Sequence, residues 1–191
     1  AHFLSNGRYG VMITSAGSGY SQWGEMALTR WRADPTIEDG GTWLYLQDRD
    51  RGWLTSATLQ PTGSALGDPQ TFFYPYKAEF HRQEDDLALK LEVAVAGEDD
   101  VEIRQLTVTN HGDRPREIEV TSLAEIVLAP PADDLAHPAF GKLFVETEYL
   151  PESAALLCHR RPRAADEAAA WAVHVVSLEG RTQGPVEWES D

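Results

Sequence analysis

The sequence predicts an all-β fold built from two packed antiparallel sheets, and three features carry that expectation. Apolar residues recur at period two: Leu87, Leu89, Leu91, Val93 and Val95 fall on one face, with Lys90 and Glu92 opposite. Short alternating runs are divided by clusters of Gly, Pro, Asn and Asp, the punctuation of a two-sheet sandwich. Helical signals are scarce. The candidate is residues 164–170, alanine-rich but too short to persist without tertiary support.

In chain order, residues 4–14 read as a strand, followed by the glycine-rich turn Gly17-Ser18-Gly19 and a second strand carrying Arg30, Trp31 and Arg32. Further strands are expected at residues 42–47, 72–82, 143–150 and 171–178. After the Gly97-Glu98-Asp99-Asp100 turn, Val101 and Ile103 continue the apolar face. The phase then slips to Leu106 and Val108, which predicts a β-bulge near Gln105. Asn110-His111-Gly112-Asp113 is a turn signal, and Ile118 and Val120 resume a strand. Pro130-Pro131-Ala132-Asp133-Asp134 reads as a loop, because consecutive prolines cannot sit inside a ladder. The segment around His137 reads as another loop, docked on the next strand by Phe140. The final alternation from Pro185 to Glu189 looks like a strand entered and not followed. With Ala1 as the first residue, it suggests an incomplete fragment of a larger protein, with residues 1–191 as a single β-sandwich domain.

Composition narrows the function classes. At 191 residues with 42% apolar content the chain can bury one full core. A lone Cys158 cannot form an internal disulfide. A formal charge of −15 disfavours nucleic acid and anionic membrane surfaces, which repel an acidic face, but not a neutral polyhydroxyl ligand. No apolar run approaches the roughly 18–20 residues of a membrane span.

The candidate binding residues cluster at the glycine turn. Gly17-Ser18-Gly19 fails the dinucleotide pattern, since Gln22 stands where a third glycine belongs, and no Walker lysine follows. The nucleophile elbow fails too, with Ala16 and Tyr20 flanking Ser18. The glycines instead allow positive φ in a tight turn that presents Ser18, Tyr20 and Trp23 outward, the aromatics as sugar-stacking platforms. On a strand, Arg30 and Arg32 share a face with Cα atoms about 6.5–7 Å apart. They form two guanidinium forks for hydroxyls or carboxylates. The competing reading has Trp31 in the core and both arginines in solvent. Glu146 and Glu148 also share a strand face, but two acids on one strand cannot flank a glycosidic bond, so they read as solvated. The six histidines and Cys158 show no zinc spacing, and Asp133, Asp134 and His137 make a weak cation site, so neither metal nor cofactor is expected.

The opening run Leu4-Ser5-Asn6-Gly7-Arg8-Tyr9-Gly10, with Thr29-Arg30-Trp31-Arg32 after it, resembles the N-terminal β-sandwich of glycoside hydrolase family 94, formerly glycosyltransferase family 36. The resemblance extends through Trp43-Leu44-Tyr45-Leu46-Gln47-Asp48, Ala57-Thr58-Leu59-Gln60-Pro61, Leu128-Ala129-Pro130-Pro131, His137-Pro138-Ala139-Phe140 and Arg160-Arg161-Pro162. It lies nearest the cyclic β-1,2-glucan synthase branch. It implies a galactose mutarotase-like supersandwich that packs on a separate catalytic barrel, helps shape its entrance and contributes to a homodimer. Catalytic and phosphate-binding residues of the family lie on that barrel, so none carries over. The implied partner is a β-linked gluco-oligosaccharide or glucan, and the implied setting is the cytoplasm, with the parent anchored in the inner membrane and no membrane contact by this domain.

Three functions follow as alternatives: a non-catalytic carbohydrate-binding accessory domain, a structural interface packing on the barrel, or an aldose epimerase-like enzyme. The last requires a histidine acid and a carboxylate base to converge, as His81 with Glu79 or His174 with Glu146.

Overall fold

A computed structural model describes residues 1–32, 38, 40–63, 67–162, 167, 169–180 and 186–190. Strands take 52% of these residues and helices 8%, so period-two alternation does govern the fold. The chain forms two compact units, Ala1–Glu125 and Ile126–Asp191.

The first unit contains β1 (His2–Ser5), β2 (Tyr9–Ile13), β3 (Gly19–Trp23), β4 (Met26–Thr29), β5 (Thr42–Asp48), β6 (Trp53–Ser56), β7 (Gln70–Tyr74), β8 (Lys77–Glu84), β9 (Leu87–Val95), β10 (Glu102–Asn110) and β11 (Ile118–Ala124). They pair antiparallel in the orders β1-β2-β3-β4, β10-β9-β8-β7 and β11-β5-β6. The core lies where inner faces meet: Leu4, Val11 and Ile13 from β1 and β2, Leu46 from β5, and Phe80, Leu89, Leu91 and Val93 from β8 and β9. Truncating one of these leucines to alanine costs about 2–5 kcal/mol, because lost transfer energy adds to the cavity left behind.

The glycine turn between β2 and β3 is tight for a steric reason. A Cβ on Gly19 would sit 1.9 Å from the Met12 carbonyl oxygen, and one on Gly17, at φ +95°, would overlap the Thr58 side chain at 2.3 Å. No side chain larger than hydrogen fits either place without moving the neighbouring backbone or threonine.

Two differences from the sequence reading concern the first unit and a third the end of the second. The register of β9 with β10 runs unbroken from Glu102 opposite Val95 to Asn110 opposite Leu87, so there is no bulge near Gln105. The phase slip arises because the inward positions 102 and 104 carry Glu102 and Arg104, while Ile103 points outward at 51% exposure. The strand expected over residues 72–82 is a hairpin, since Pro75 and Tyr76 form a two-residue turn between Tyr74 and Lys77. The strand expected after Pro185 is absent from residues 186–190, and Pro185 lies outside the described residues.

The second unit holds β12 (Ile126–Ala129), α1 (Pro131–Ala136), α2 (Pro138–Lys142), β13 (Val145–Leu150), β14 (Ala155–Arg160) and β15 (Ala170–Val175), with sheet order β13-β14-β15. The loops expected at Pro130–Asp134 and around His137 are short helices. Pro131 and Pro138 each stand at a helix start, where the missing N–H is not needed and the fixed φ already suits a helix. Phe140 does not anchor a loop. It is exposed and meets Phe144 edge-on at 5.2 Å. Of the helix expected over residues 164–170, Ala170 begins β15, and residues 164–166 and 168 lie outside the described residues.

Candidate functional site

The five residues singled out around the glycine turn separate into different environments. Ser18 is buried, not presented outward: its hydroxyl lies 3.3 Å from that of Thr14, and its carbonyl accepts the Thr14 amide at 2.8 Å. Tyr20 and Trp23 stand on opposite faces of β3, because they are an odd number of positions apart and the pleat alternates. Trp23 donates its indole Nε1–H to Asp100 Oδ2 at 2.7 Å, and Arg8 donates Nε–H to Oδ1 of the same carboxylate at 2.9 Å. That bond from Trp23, with Arg8 behind it, holds the Asp100 carboxyl below the usual carboxylate range. Trp23 therefore fastens β3 to the turn between β9 and β10.

Arg30 and Arg32 do not share a strand face, because β4 ends at Thr29. Arg30 is mostly buried and its Nη1–H pairs with Glu125 Oε1, while Arg32 is exposed. Trp31, between them, packs against Tyr20 with ring centroids 5.5 Å apart and planes tilted by 50°. What remains of the expected site is thus Tyr20, on the side of β3 away from the core, with Arg30 and Arg32 beyond the end of β4, and it gains Trp31, which the sequence reading does not count among the binding residues.

A second cluster stands on the outer face of β7, β8 and β9, opposite the core side. Alternation puts Phe72 and Tyr74 from β7, Lys77, Glu79 and His81 from β8, and Lys90 and Glu92 from β9 on this face. Lys77 pairs with Glu79 and, at 2.7 Å, with Glu92. Lys90 reaches Glu92 at 2.9 Å and Glu79 at 3.8 Å. The hydrogen bond from Lys77, then that from His81, pulls the Glu79 carboxyl down to about 2. Phe72 meets the His81 ring edge-on at 5.4 Å, and the Lys77 ammonium lies over the rings of Tyr74 and Tyr76 at 5.5 and 5.7 Å. The sequence signal for this cluster is Pro75, which makes the hairpin that folds both tyrosines back over Lys77.

This geometry argues against epimerase chemistry. Glu79 and His81 do meet, with Oε2 and Nε2 3.2 Å apart, but they bond one another rather than flanking a substrate. A carboxylate at about 2 is also too weak a base near neutral pH. The other pair does not converge: Glu146 is outward on β13, where it bonds His159 and Arg161, each at 3.1 Å, whereas His174 is on the inward-facing alternation of β15. Glu146 and Glu148 are both exposed, as expected of solvated acids. Among the described residues, no group of three or more His, Cys, Asp or Glu gathers as metal ligands would.

Comparison with known proteins settles the family. Residues 1–191 match the family described as "Glycosyl hydrolase 94, supersandwich domain". The chain belongs to that family. It is also 36% identical over 188 residues to the cyclic β-(1,2)-glucan synthase NdvB of Rhizobium meliloti (strain 1021), a match covering 98% of this chain and 7% of that protein. The supersandwich domain thus corresponds to a small part of its long relative, and its own β-sheets match the architecture the family's description names. Among the described residues, no helix is long and apolar enough to cross a membrane.

Proposed function

We propose that this supersandwich domain is a non-catalytic accessory module that contacts β-linked glucan beside the catalytic part of a longer glucan synthase-type enzyme. The observation that carries the reading is the Tyr20–Trp31 ring pair with Arg30 and Arg32 alongside it in sequence. Aromatic rings offer an apolar face to the C–H side of a pyranose, and guanidinium forks donate to hydroxyls in fixed directions. The relative, a cyclic β-(1,2)-glucan synthase, supplies the ligand class. The domain works in the cytoplasm, with its parent held at the inner membrane by other segments.

A titration of β-1,2-linked gluco-oligosaccharides followed by tryptophan fluorescence tests this. The expected dissociation constant lies in the high micromolar to millimolar range, about −4 to −6 kcal/mol. Arg32→Ala and Trp31→Ala should weaken the response. A wild type silent at tens of millimolar sugar would refute glucan contact. Incubation with glucan and inorganic phosphate should release no sugar phosphate, and release would refute the non-catalytic assignment.

A second reading draws on one observation in the second unit. Trp171, Val173 and Val175 are exposed on alternate positions of the edge strand β15, an apolar row suited to an interface with the rest of the parent chain. Cross-linking from β15 within the full-length enzyme would distinguish this packing role from a sugar-facing one.

A further inference from the structure

The outer face of β7, β8 and β9 has the chemistry of a second carbohydrate surface. Phe72, Tyr74 and Tyr76 are 42%, 37% and 68% exposed, yet each ring is held in place from behind: Phe72 by His81, and the tyrosines by the Lys77 ammonium. Rings already fixed in orientation lose little freedom when a ligand stacks on them. Beside them lies a charge quartet that neutralises itself, with Lys77 and Lys90 balancing Glu79 and Glu92. Each ammonium has three N–H groups, of which Lys77 directs two at carboxylates and Lys90 one, at Glu92, while the Glu92 carboxylate has about four acceptor sites and meets two donors. The quartet therefore retains donors and acceptors in alternation, the arrangement that matches hydroxyls, which both donate and accept. Local neutrality gives no attraction for a charged polypeptide or an anion, and the −15 charge of the whole chain opposes anions further.

We propose that this face is a glucan-binding platform distinct from the Tyr20–Trp31 surface, with Phe72, Tyr74 and Tyr76 stacking on sugar rings and Lys77, Lys90 and Glu92, held in place over buried Glu79, bonding their hydroxyls. The inference rests on the glucan reading above and adds to it a second surface and its residues. The aromatics on β7 and its turn adjoin the charged groups on β8 and then β9, neighbouring strands about 4.8 Å apart, so an extended oligosaccharide can touch both sets together.

Calorimetric titration of the full 191-residue chain with a linear β-1,2-linked gluco-oligosaccharide tests the assignment, with an α-1,6-linked dextran fragment as control. Two variants probe the platform: the triple change Phe72→Ala, Tyr74→Ala, Tyr76→Ala, and the single turn change Tyr76→Ser, which keeps the strand rings should the triple variant fold poorly. Arg32→Ala probes the other surface. The platform predicts at least a tenfold loss of affinity for the triple variant and a threefold or greater loss for Tyr76→Ser. Unchanged affinity in Tyr76→Ser and in a folded triple variant, with loss confined to Arg32→Ala, overturns the platform and leaves the glucan reading standing. Absence of binding by the wild type overturns both. Equal affinity for the dextran fragment overturns the β-glucan specificity of the platform.

Discussion

Two carboxylate clusters occupy opposite faces of the same four-stranded sheet, and they differ in what surrounds them. Inward on β10, Glu102 accepts from Ser21 at 2.5 Å and from Tyr9 at 3.2 Å, and pairs with Arg104, so one side chain ties β10 to β2 and β3 across the sandwich. Burial pushes its carboxyl up, but the Arg104 guanidinium and the donated bonds outweigh that and hold it below the ordinary value. Burial, then the Glu102 charge, drives the Tyr9 phenol far above its usual range. Outward, Glu79 and Glu92 meet ammonium groups instead: Glu79 is covered by Lys77, Lys90 and His81, while Glu92 is half-buried. The contrast teaches that charge on a strand face does not by itself signal function. A carboxylate whose partners reach it from the opposing sheet is a tie. One whose partners all lie on its own sheet surface can stay within reach of a ligand, as Glu92 does.

The largest test of the contrast is Glu102→Ala against Glu92→Ala. The first leaves Arg104 buried without its carboxylate and should lower unfolding stability by about 3–5 kcal/mol in urea titration. The second breaks a surface network and should cost about 0–1 kcal/mol. Comparable losses would erase the distinction. Next, Tyr9→Phe removes a hydroxyl donor from a buried carboxylate, with an expected loss of about 1.5–3 kcal/mol by the same measurement. An unchanged denaturation midpoint would mean that the bond contributes nothing to the tie.

A smaller effect separates the faces by pH. Glu79 falls from 4.5 to about 2 on folding, so its stabilisation is fully present above pH 4.5 and is lost as pH drops towards 2. Lys77→Met should flatten that part of the thermal midpoint–pH curve, while Glu102→Ala should leave the Glu79 contribution in place. A Lys77→Met curve parallel to wild type across this window would contradict the role of Lys77. Smallest of all, Phe72→Ala and Tyr76→Ala should each change stability by no more than about 0.5 kcal/mol, since both side chains project from the outer face. A loss of several kcal/mol would show that these rings are packing residues.

Much of the fold was legible because most inward positions are apolar. β9 reads directly from Leu87 to Val95 for that reason. β10 misleads because Glu102 and Arg104 occupy inward places, and alternation alone then mistakes outward Ile103 for core. The prolines mislead in a consistent way. Pro131 and Pro138 start helices instead of preventing them, and Pro75 turns one expected strand into two. The candidate site was legible only in residue type. Tyr20, Trp31 and Arg32 remain a surface group, but the end of β4 at Thr29 decides the arginines' directions, and period two alone places Trp23 on the other face from Tyr20. Lys77, Glu79, Lys90 and Glu92 alternate visibly, yet their convergence depends on strand register, which no local pattern supplies.

The most direct test of the central claim, that the outer faces meet glucan while inner charges only hold the sheets together, is an amide correlation spectrum of the isotope-labelled chain during titration with β-1,2-linked gluco-oligosaccharide. The account predicts progressive shifts at Phe72–Lys77, at Lys90 and Glu92, and at Tyr20 and Trp31, with Tyr9, Ser21, Glu102 and Arg104 unmoved. Shifts concentrated at the buried Glu102 tie, or a spectrum unchanged at tens of millimolar sugar, would contradict it.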